Sequence, residues 1–365
     1  MTSRDDTGAA TILEVAKERI SEVRTHREAL PLAAGQARLR VDAFGLTTNN
    51  VTYAVYGAPM RYWDFFPTRD PETWGRVPVW GFADVVESAS PDCAVGERLY
   101  GYLPMASELV MEPGRADERG VADVAAHRAP MAGAYNRYVR CASDATYDAG
   151  REAQQMLLYP LFFTSFVVDD FFADRDDLGT DAIVLSSASS KTAIGVAYLA
   201  HRRGRRVVGL TSTRNHKFVE GLGVYDEVVC YHEIASAASG NAVYVDLAGN
   251  LDVRAAVHAA YGDRLAHSMI VGGTHWDHDA VAPTTALVGP TPEFFFAPTQ
   301  IAKRTADWGR AELDRRSGEA WAAYSAWTDG WLDVQRAIGT DAVVAAWTAL
   351  VAGTPEPRVG FVGSL

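Results

Sequence analysis

Between about residues 151 and 290, short apolar runs rich in β-branched residues alternate with amphipathic stretches. IVLSS, RVVGLT, EVVCY, NAVYVDLAG and HSMIVGGTH predict strands, and KFVEGLG and VRAAVHAAYG predict helices among them. Such alternation predicts a mostly parallel sheet covered by helices on both faces. The region before it reads differently. ARLRVDAFGL, VPVWGFADVVES and ERLYGYLPM carry the β-branched, aromatic and glycine content of a strand-rich domain. Among them, NNVTYAVYGAPMRYWDFFPTRDPETWGR is rich in aromatics, Gly and Pro, and reads as a long functional loop or as a short helix followed by a loop. LEVAKERISEVRTHREAL near the start mixes apolar and charged positions and leaves an exposed helix and an irregular strand-bearing lead-in both open. After 290 come FFFAPTQIAKRTADWG, a tryptophan-rich helix and RVGFVGSL, which is expected to return as a strand to the first domain. The boundaries are therefore 1–150, 151–290 and a tail over 291–365.

The turn after the first predicted strand of the middle region carries the most chemistry. IVLSSASSKTAIG, the helical VAYLAHRRG and RRVVGLTSTRN follow the order of a dinucleotide-binding βαβ unit, whose turn delivers N–H groups and a helix N-terminus to a pyrophosphate. In a GxGxxG register, Ala188, Ser190 and Ala193 occupy the three glycine positions. Small residues permit close approach if the turn needs no left-handed residue, and the hydroxyls of Ser189 and Ser190 suit phosphate oxygens. The adjoining Lys191 and Thr192 also invite a nucleoside-triphosphate loop, but Leu185, Ser186 and Ser190 stand where that loop requires glycine. A serine-rich helix cap without a ligand is the plainest alternative. At the end of the second strand, an NAD site places a carboxylate about 20 residues after the glycine turn. This chain instead has Ser212, Arg214, Asn215 and, further on, Lys217, which favours NADP(H) over NAD; solvated surface cations are the alternative.

Composition narrows the partners. The 365 residues suffice for two packed domains, and 48% hydrophobic with 22% charged content describes an ordinary globular chain. A net charge of −12, from 34 basic and 46 acidic residues, argues against nucleic acid and anionic membrane as partners. The basic cluster His201, Arg202, Arg203, Arg205 and Arg206 falls at a helix end, where the helix dipole accounts for it. Cys93, Cys141 and Cys230 are scattered, suggest neither a disulfide framework nor a zinc site, and fit a reducing cytoplasm. MTSRDDTGAA has acids where a signal peptide needs bases, and the apolar run 156–168 is short for a bilayer and contains Pro160, so no membrane insertion is expected.

Several runs carry a family resemblance. GYLPM after GERLY, LLYPLFFTSF before the nucleotide domain, and the returning tail resemble the medium-chain dehydrogenase/reductase superfamily, especially its zinc-independent quinone and enoyl reductases. PVWGFADVVES, TTNNVTY, PLFFTSFVVDDFF, SSASSKTA, GLTSTRN and FFFAPTQIAKR resemble more closely an uncharacterised branch known as a domain of unknown function. The resemblance covers nearly the whole chain and implies an α/β protein, with a GroES-like β-barrel joined to a Rossmann doubly wound parallel sheet.

The resemblance also implies sites. Asn49, Asn50 and Tyr53 match the start of the substrate-facing loop, with Tyr53 the candidate for enolate stabilisation or proton return; turn asparagines and a core tyrosine are the structural alternative. Thr164 matches a threonine near the nicotinamide, and Gly272, Gly273 and Thr274 match the strand end that holds its carboxamide. Gly81, Phe82 and Ala83 stand where zinc alcohol dehydrogenases have Gly-His-Glu, which argues against zinc. His275 and His278 form an isolated pair, better suited to capping a turn or stacking on the cofactor than to binding metal. Tyr62, Trp63, Phe65, Phe66, Trp80 and Phe294–Phe296 suit an apolar substrate cleft or simple core packing. Asp169 and Asp170 are adjacent on a helix and so face apart, which makes them poor candidates for a catalytic dyad. The implied activity is NADPH-dependent reduction of a small hydrophobic enone, quinone or enoyl thioester. A lyase, isomerase or cyclase on the same scaffold and a cofactor-sensing binding protein are the alternatives. The resemblance further implies a homodimer formed through the nucleotide-domain edge strand, here HSMIVGG.

Overall fold

The computed structural model describes residues 9–271 and 287–365. Two compact units divide the chain: Met1–Leu157 with Leu332–Leu365, and Leu158–Trp331. Residues 291–331, assigned above to the tail, therefore belong to the second unit, and only the remainder returns to the first.

In the first unit the ambiguous lead-in is a hairpin, with Ala10–Ala16 antiparallel to Val23–Glu28. Its mixed pattern has a physical cause. Glu14 is buried, yet it is gripped by Arg24 at 2.7 Å and Arg76 at 3.1 Å, so a charged residue stands at a core position. The main sheet runs through the three predicted strands. Ala37–Leu46 pairs with Pro78–Ser88, which pairs with Arg98–Pro104, and that strand pairs in turn with Arg137–Arg140. Val359–Ser364 closes antiparallel onto Ala37–Leu46 and carries Asp333–Ile338 parallel beside it. Leu39, Phe44, Val79, Tyr102, Leu103 and Trp347 fill the core of this barrel. The segment after Leu46 resolves into a short helix, Thr48–Val55, followed by a loop.

The second unit holds a six-stranded parallel sheet. Its spatial order is Glu227–Cys230, Arg206–Thr211, Ala182–Leu185, Ala242–Asp246, Leu265–Ile270 and Glu293–Phe294. In chain order this is 3-2-1-4-5-6, the doubly wound arrangement with a switch point between the first and fourth strands. All five predicted strands are present. The fifth is not the edge, however: Glu293–Phe294 pairs with Met269 and Ile270 and lies outside it.

One expectation needs correction. The apolar run 156–168 belongs to a longer helix, Glu152–Ala173, and the stretch Ala149–Ala173 is long and apolar enough by length and composition to cross a membrane. Of its apolar window 56% is buried within the protein, as in a core helix. Pro160 removes the N–H that would reach the Met156 carbonyl. Gly45 packs on that carbonyl so closely that a Cβ there would lie 2.7 Å from its oxygen.

Candidate functional site

In the second unit, the turn that joins the first strand to the helix Lys191–Arg202 lies at the carboxyl end of the sheet, beside the switch point. Its shape is set by side chains instead of glycine. Ser187 takes a left-handed conformation (φ 51°), so the turn does need one left-handed residue, one position before Ala188. The Ser187 N–H donates to the Tyr231 hydroxyl at 3.1 Å, the Ala188 N–H donates to the Leu210 carbonyl at 3.0 Å, and the Tyr225 hydroxyl donates to the Ala188 carbonyl at 2.8 Å. Ser190 caps the helix, its hydroxyl accepting from the Ala193 N–H at 3.2 Å. The close helix packing ascribed to a third glycine is achieved two residues beyond Ala193. A Cβ on Gly195 would lie 2.5 Å from the Ser165 hydroxyl, which donates to the Thr192 carbonyl at 2.8 Å.

The structure brings the two predicted phosphate-binding segments together, because the Asn215 amide donates to the Ser189 hydroxyl at 3.0 Å. Ser212 is half-buried before this short turn, and Arg214 and Lys217 stand exposed on it and on the following helix. Lys191 is half-buried at the first helical position, and burial pushes its ammonium down to about 8. Thr164 is half-buried on the 152–173 helix, its hydroxyl turned back to the Pro160 carbonyl at 3.4 Å. Gly272, Gly273 and Thr274, with His275 and His278, lie outside the described residues.

Sequence reasoning missed the network that bridges the switch point. The Ser186 hydroxyl donates to Asp246 at 3.0 Å and accepts from the N–H groups of Leu247 and Ala248. Asp246 is fully buried, accepts from Gly249 and pairs with Arg254 at 2.8 Å. Ser186 directly follows Leu185, whose register partner is Val245, and Asp246 ends the neighbouring strand, so only knowledge of the strand order could have joined them. Asp169 and Asp170 do face apart. Asp169 pairs with Arg203, while Asp170 meets Gln300 and Arg304. The basic cluster is largely absorbed in ion pairs, Arg203 and Arg205 with Asp177 and Arg206 with Glu227.

In the first unit, Asn50 is structural. Its carbonyl oxygen accepts from the Thr47 N–H at 2.8 Å and its NH₂ donates to the Pro78 carbonyl at 3.1 Å, so the amide is occupied by a capping box. Asn49 is half-buried, and its side chain reaches the Tyr53 hydroxyl. Trp80 Nε1 donates to the same oxygen at 3.4 Å. Burial dominates the Tyr53 phenol and holds it far above its ordinary range, fully protonated at any working pH. Around it stand Tyr62 (4.7 Å between ring centroids), Tyr102 (5.6 Å), Tyr135, Trp80 and Phe65. Phe82, at the position of a zinc ligand in alcohol dehydrogenases, is a buried ring against Tyr100 with the Arg98 guanidinium over it. Among the described residues, no group of three or more His, Cys, Asp or Glu is placed to hold a metal ion. Phe294 and Phe296 line a cavity of about 180 Å³ in the second unit, with Phe171, Arg175, His267 and Gln300.

A GroES-like barrel and a doubly wound Rossmann sheet in one chain define the fold of the medium-chain dehydrogenase/reductases. Similar structures include a mutant form of enoyl thioester reductase from Candida tropicalis, at 10% identity and TM-score 0.59, covering 98% of this chain and 100% of that one. CurA from Vibrio vulnificus, solved in complex with NADPH, is 14% identical with TM-score 0.58, covering 97% and 98%. The quinone oxidoreductase from Coxiella burnetii is 14% identical with TM-score 0.54, covering 98% and 99%. At such identities the likeness is one of fold. No curated protein matches the sequence. The chain belongs to the family described as "Protein of unknown function (DUF2855)", which it matches over residues 44–356.

Proposed function

We propose that the protein is an NADP(H)-dependent oxidoreductase that reduces a small hydrophobic α,β-unsaturated carbonyl compound: an enone, a quinone or an enoyl thioester. The observation that carries this reading is the serine turn at the switch point, tied by Asn215 to the segment that bears Arg214 and Lys217. The donor set fits the cofactor. A helix N-terminus with Ser189 and Lys191 suits a pyrophosphate, and two exposed cations with no carboxylate on that segment suit a 2′-phosphate. The complexes and names of the similar structures, CurA with NADPH among them, point the same way.

When bound, NADPH supplies a hydride. The remaining task falls to the chain. As hydride adds to the β-carbon, the electron pair of the C=C bond moves toward the carbonyl and charge develops on its oxygen. Tyr53 is the donor for that oxygen. Asn49 and Trp80 engage the Tyr53 oxygen, so its own proton is left to point at a ligand. Held protonated by burial, Tyr53 stabilises the enolate by donation, and a proton added at the α-carbon completes the reduction.

The test is titration with NADPH and NADH, followed by nicotinamide fluorescence. Preference for NADPH should fall roughly tenfold in Arg214→Ala, with NADH binding unchanged. Absence of binding by either cofactor overturns the reading, and substrate conversion without NADPH oxidation replaces it with a lyase, isomerase or cyclase.

A further inference from the structure

Four phenols of the first unit converge on one spot, and they differ in what they already bond. Tyr53 receives Trp80 and Asn49 at its oxygen, and Tyr62 and Tyr135 engage each other. Tyr102 is fully buried, and its hydroxyl stands beside the Tyr53 oxygen without a hydrogen bond of good geometry to any partner. A buried hydroxyl without a partner costs about 1–3 kcal/mol, so its retention calls for a reason. Its ring packs 4.7 Å from Tyr135, 5.1 Å from Trp80 and 5.1 Å edge-on to Phe65. Behind it lies Arg128, also fully buried, 5.2 and 4.6 Å from the rings of Phe65 and Phe66 and 3.5 Å from Asp123. The guanidinium draws the Tyr102 phenol toward its ionised form, opposing burial and the neighbouring phenols. On balance burial and those phenols prevail, so the Tyr102 hydroxyl is held protonated and able to donate. Trp80, Tyr62 and Tyr135 are only half-buried, whereas Tyr53 and Tyr102 are buried. The cluster thus has an aromatic rim and a floor with two protonated hydroxyls.

We propose that Tyr102 and Tyr53 form a two-phenol oxyanion site that holds the oxygen of a flat, ring-bearing carbonyl compound, a quinone or aryl enone in preference to a linear acyl thioester. The orphaned Tyr102 hydroxyl supplies one hydrogen bond and Tyr53 the second. Flat faces of Trp80, Tyr62 and Tyr135 meet the ring, in the offset or edge-on geometries that aromatic pairs prefer. Arg128 is a positioning residue, acting on the oxygen through Tyr102. The proposal deepens the reductase reading and rests on it for the identity of the substrate, but the oxyanion site itself requires no cofactor.

The probe is 4-nitrophenol, a flat ring whose phenolate is read by its absorbance, titrated into the full chain without NADPH. Two buried donors should hold it as the phenolate and lower its ionisation midpoint by at least one pH unit on binding. Tyr102→Phe, which removes only the oxygen, should abolish at least half of that shift and weaken binding about tenfold. Tyr147→Phe, which removes a hydroxyl that donates to Glu152 outside the cluster, should leave the shift in place. Binding without an ionisation shift in the unaltered protein overturns the proposal, whether or not the variant folds, and so does a folded Tyr102→Phe protein that matches it. Failure here is separable from failure of the reductase reading. NADPH-dependent turnover with no dye shift removes the oxyanion site alone, and a dye shift without cofactor binding removes the reductase alone.

Discussion

The serine turn of the second unit, proposed to meet phosphate, and the phenol floor of the first, proposed to meet an oxyanion, answer opposite problems. In the turn, the protein's own groups take up the backbone: Tyr231, Tyr225, Leu210 and Ser190 bond the N–H and carbonyl groups of residues 187–193, doing with side chains what glycine does elsewhere. On the floor, the polar groups are left short of partners, with Tyr102 unbonded and Tyr53 holding one proton in reserve. The lesson is one of rigidity. A phosphate is met by a fixed backbone shape and a few exposed or half-buried polar side chains, so satisfaction within the protein fixes the site. A developing oxyanion is met by hydroxyls, which bind it only if the protein has not already consumed them.

The comparison breaks most visibly at Asp246. Asp246→Ala removes the acceptor of Ser186, Ala248 and Gly249 and leaves Arg254 buried beside a hole. Loss of one partner from a buried pair costs about 3–5 kcal/mol, a large part of the about 5–15 kcal/mol that holds a typical protein folded. The urea midpoint should fall accordingly, and cofactor binding should be lost with it. A midpoint within experimental error of the unaltered protein would show that the switch-point network is incidental. The floor should behave in the contrary way. Tyr53→Phe should leave the midpoint nearly unmoved while turnover falls about 10²–10³-fold, the usual consequence of deleting one oxyanion donor. NADPH affinity should be unchanged, since the groups proposed to hold its phosphates are Ser189, Lys191, Arg214 and Lys217. Unaltered turnover would remove Tyr53 from the reaction.

The same contrast explains what was legible from the chain alone. The sheet was readable because a fully buried parallel strand is a continuous apolar run, as in AIVL and AVYVD, and because each run is followed by a turn signal. The meeting of the Ser189 turn with the Asn215 segment was readable because a βαβ unit places its turn and its second strand end at fixed offsets. Tyr231 was not, since its bond to Ser187 spans 44 residues, and Gly195 was not, since its role depends on Ser165 of another helix. Asn50 stood between two readings because capping a helix and binding a substrate call for the same side chain. The hairpin at 10–28 was ambiguous because Glu14 lies inside, where two arginines neutralise it. No local pattern marks Tyr102; its importance lies in a hydrogen bond that is not made.

The finest expected effect concerns Lys191 and separates a turn that is only shaped from one that is also charged. Burial lowers its ammonium to about 8, so the side chain is charged below that pH and neutral above it. An anion bound nearby favours the charged form and raises the value in the complex. By linkage, affinity for NADPH is then constant well below pH 8, declines as pH rises through 8, and levels off above the higher value reached in the complex. Measured between pH 7 and 9, where the 2′-phosphate is already ionised (its second pKa is about 6), the decline should be roughly three- to tenfold. Lys191→Ala should flatten the profile and bind at pH 7 about as weakly as the unaltered protein binds at pH 9. A profile with the same slope in the variant would mean that the lysine serves only to start its helix, and that backbone and serines alone hold the phosphates.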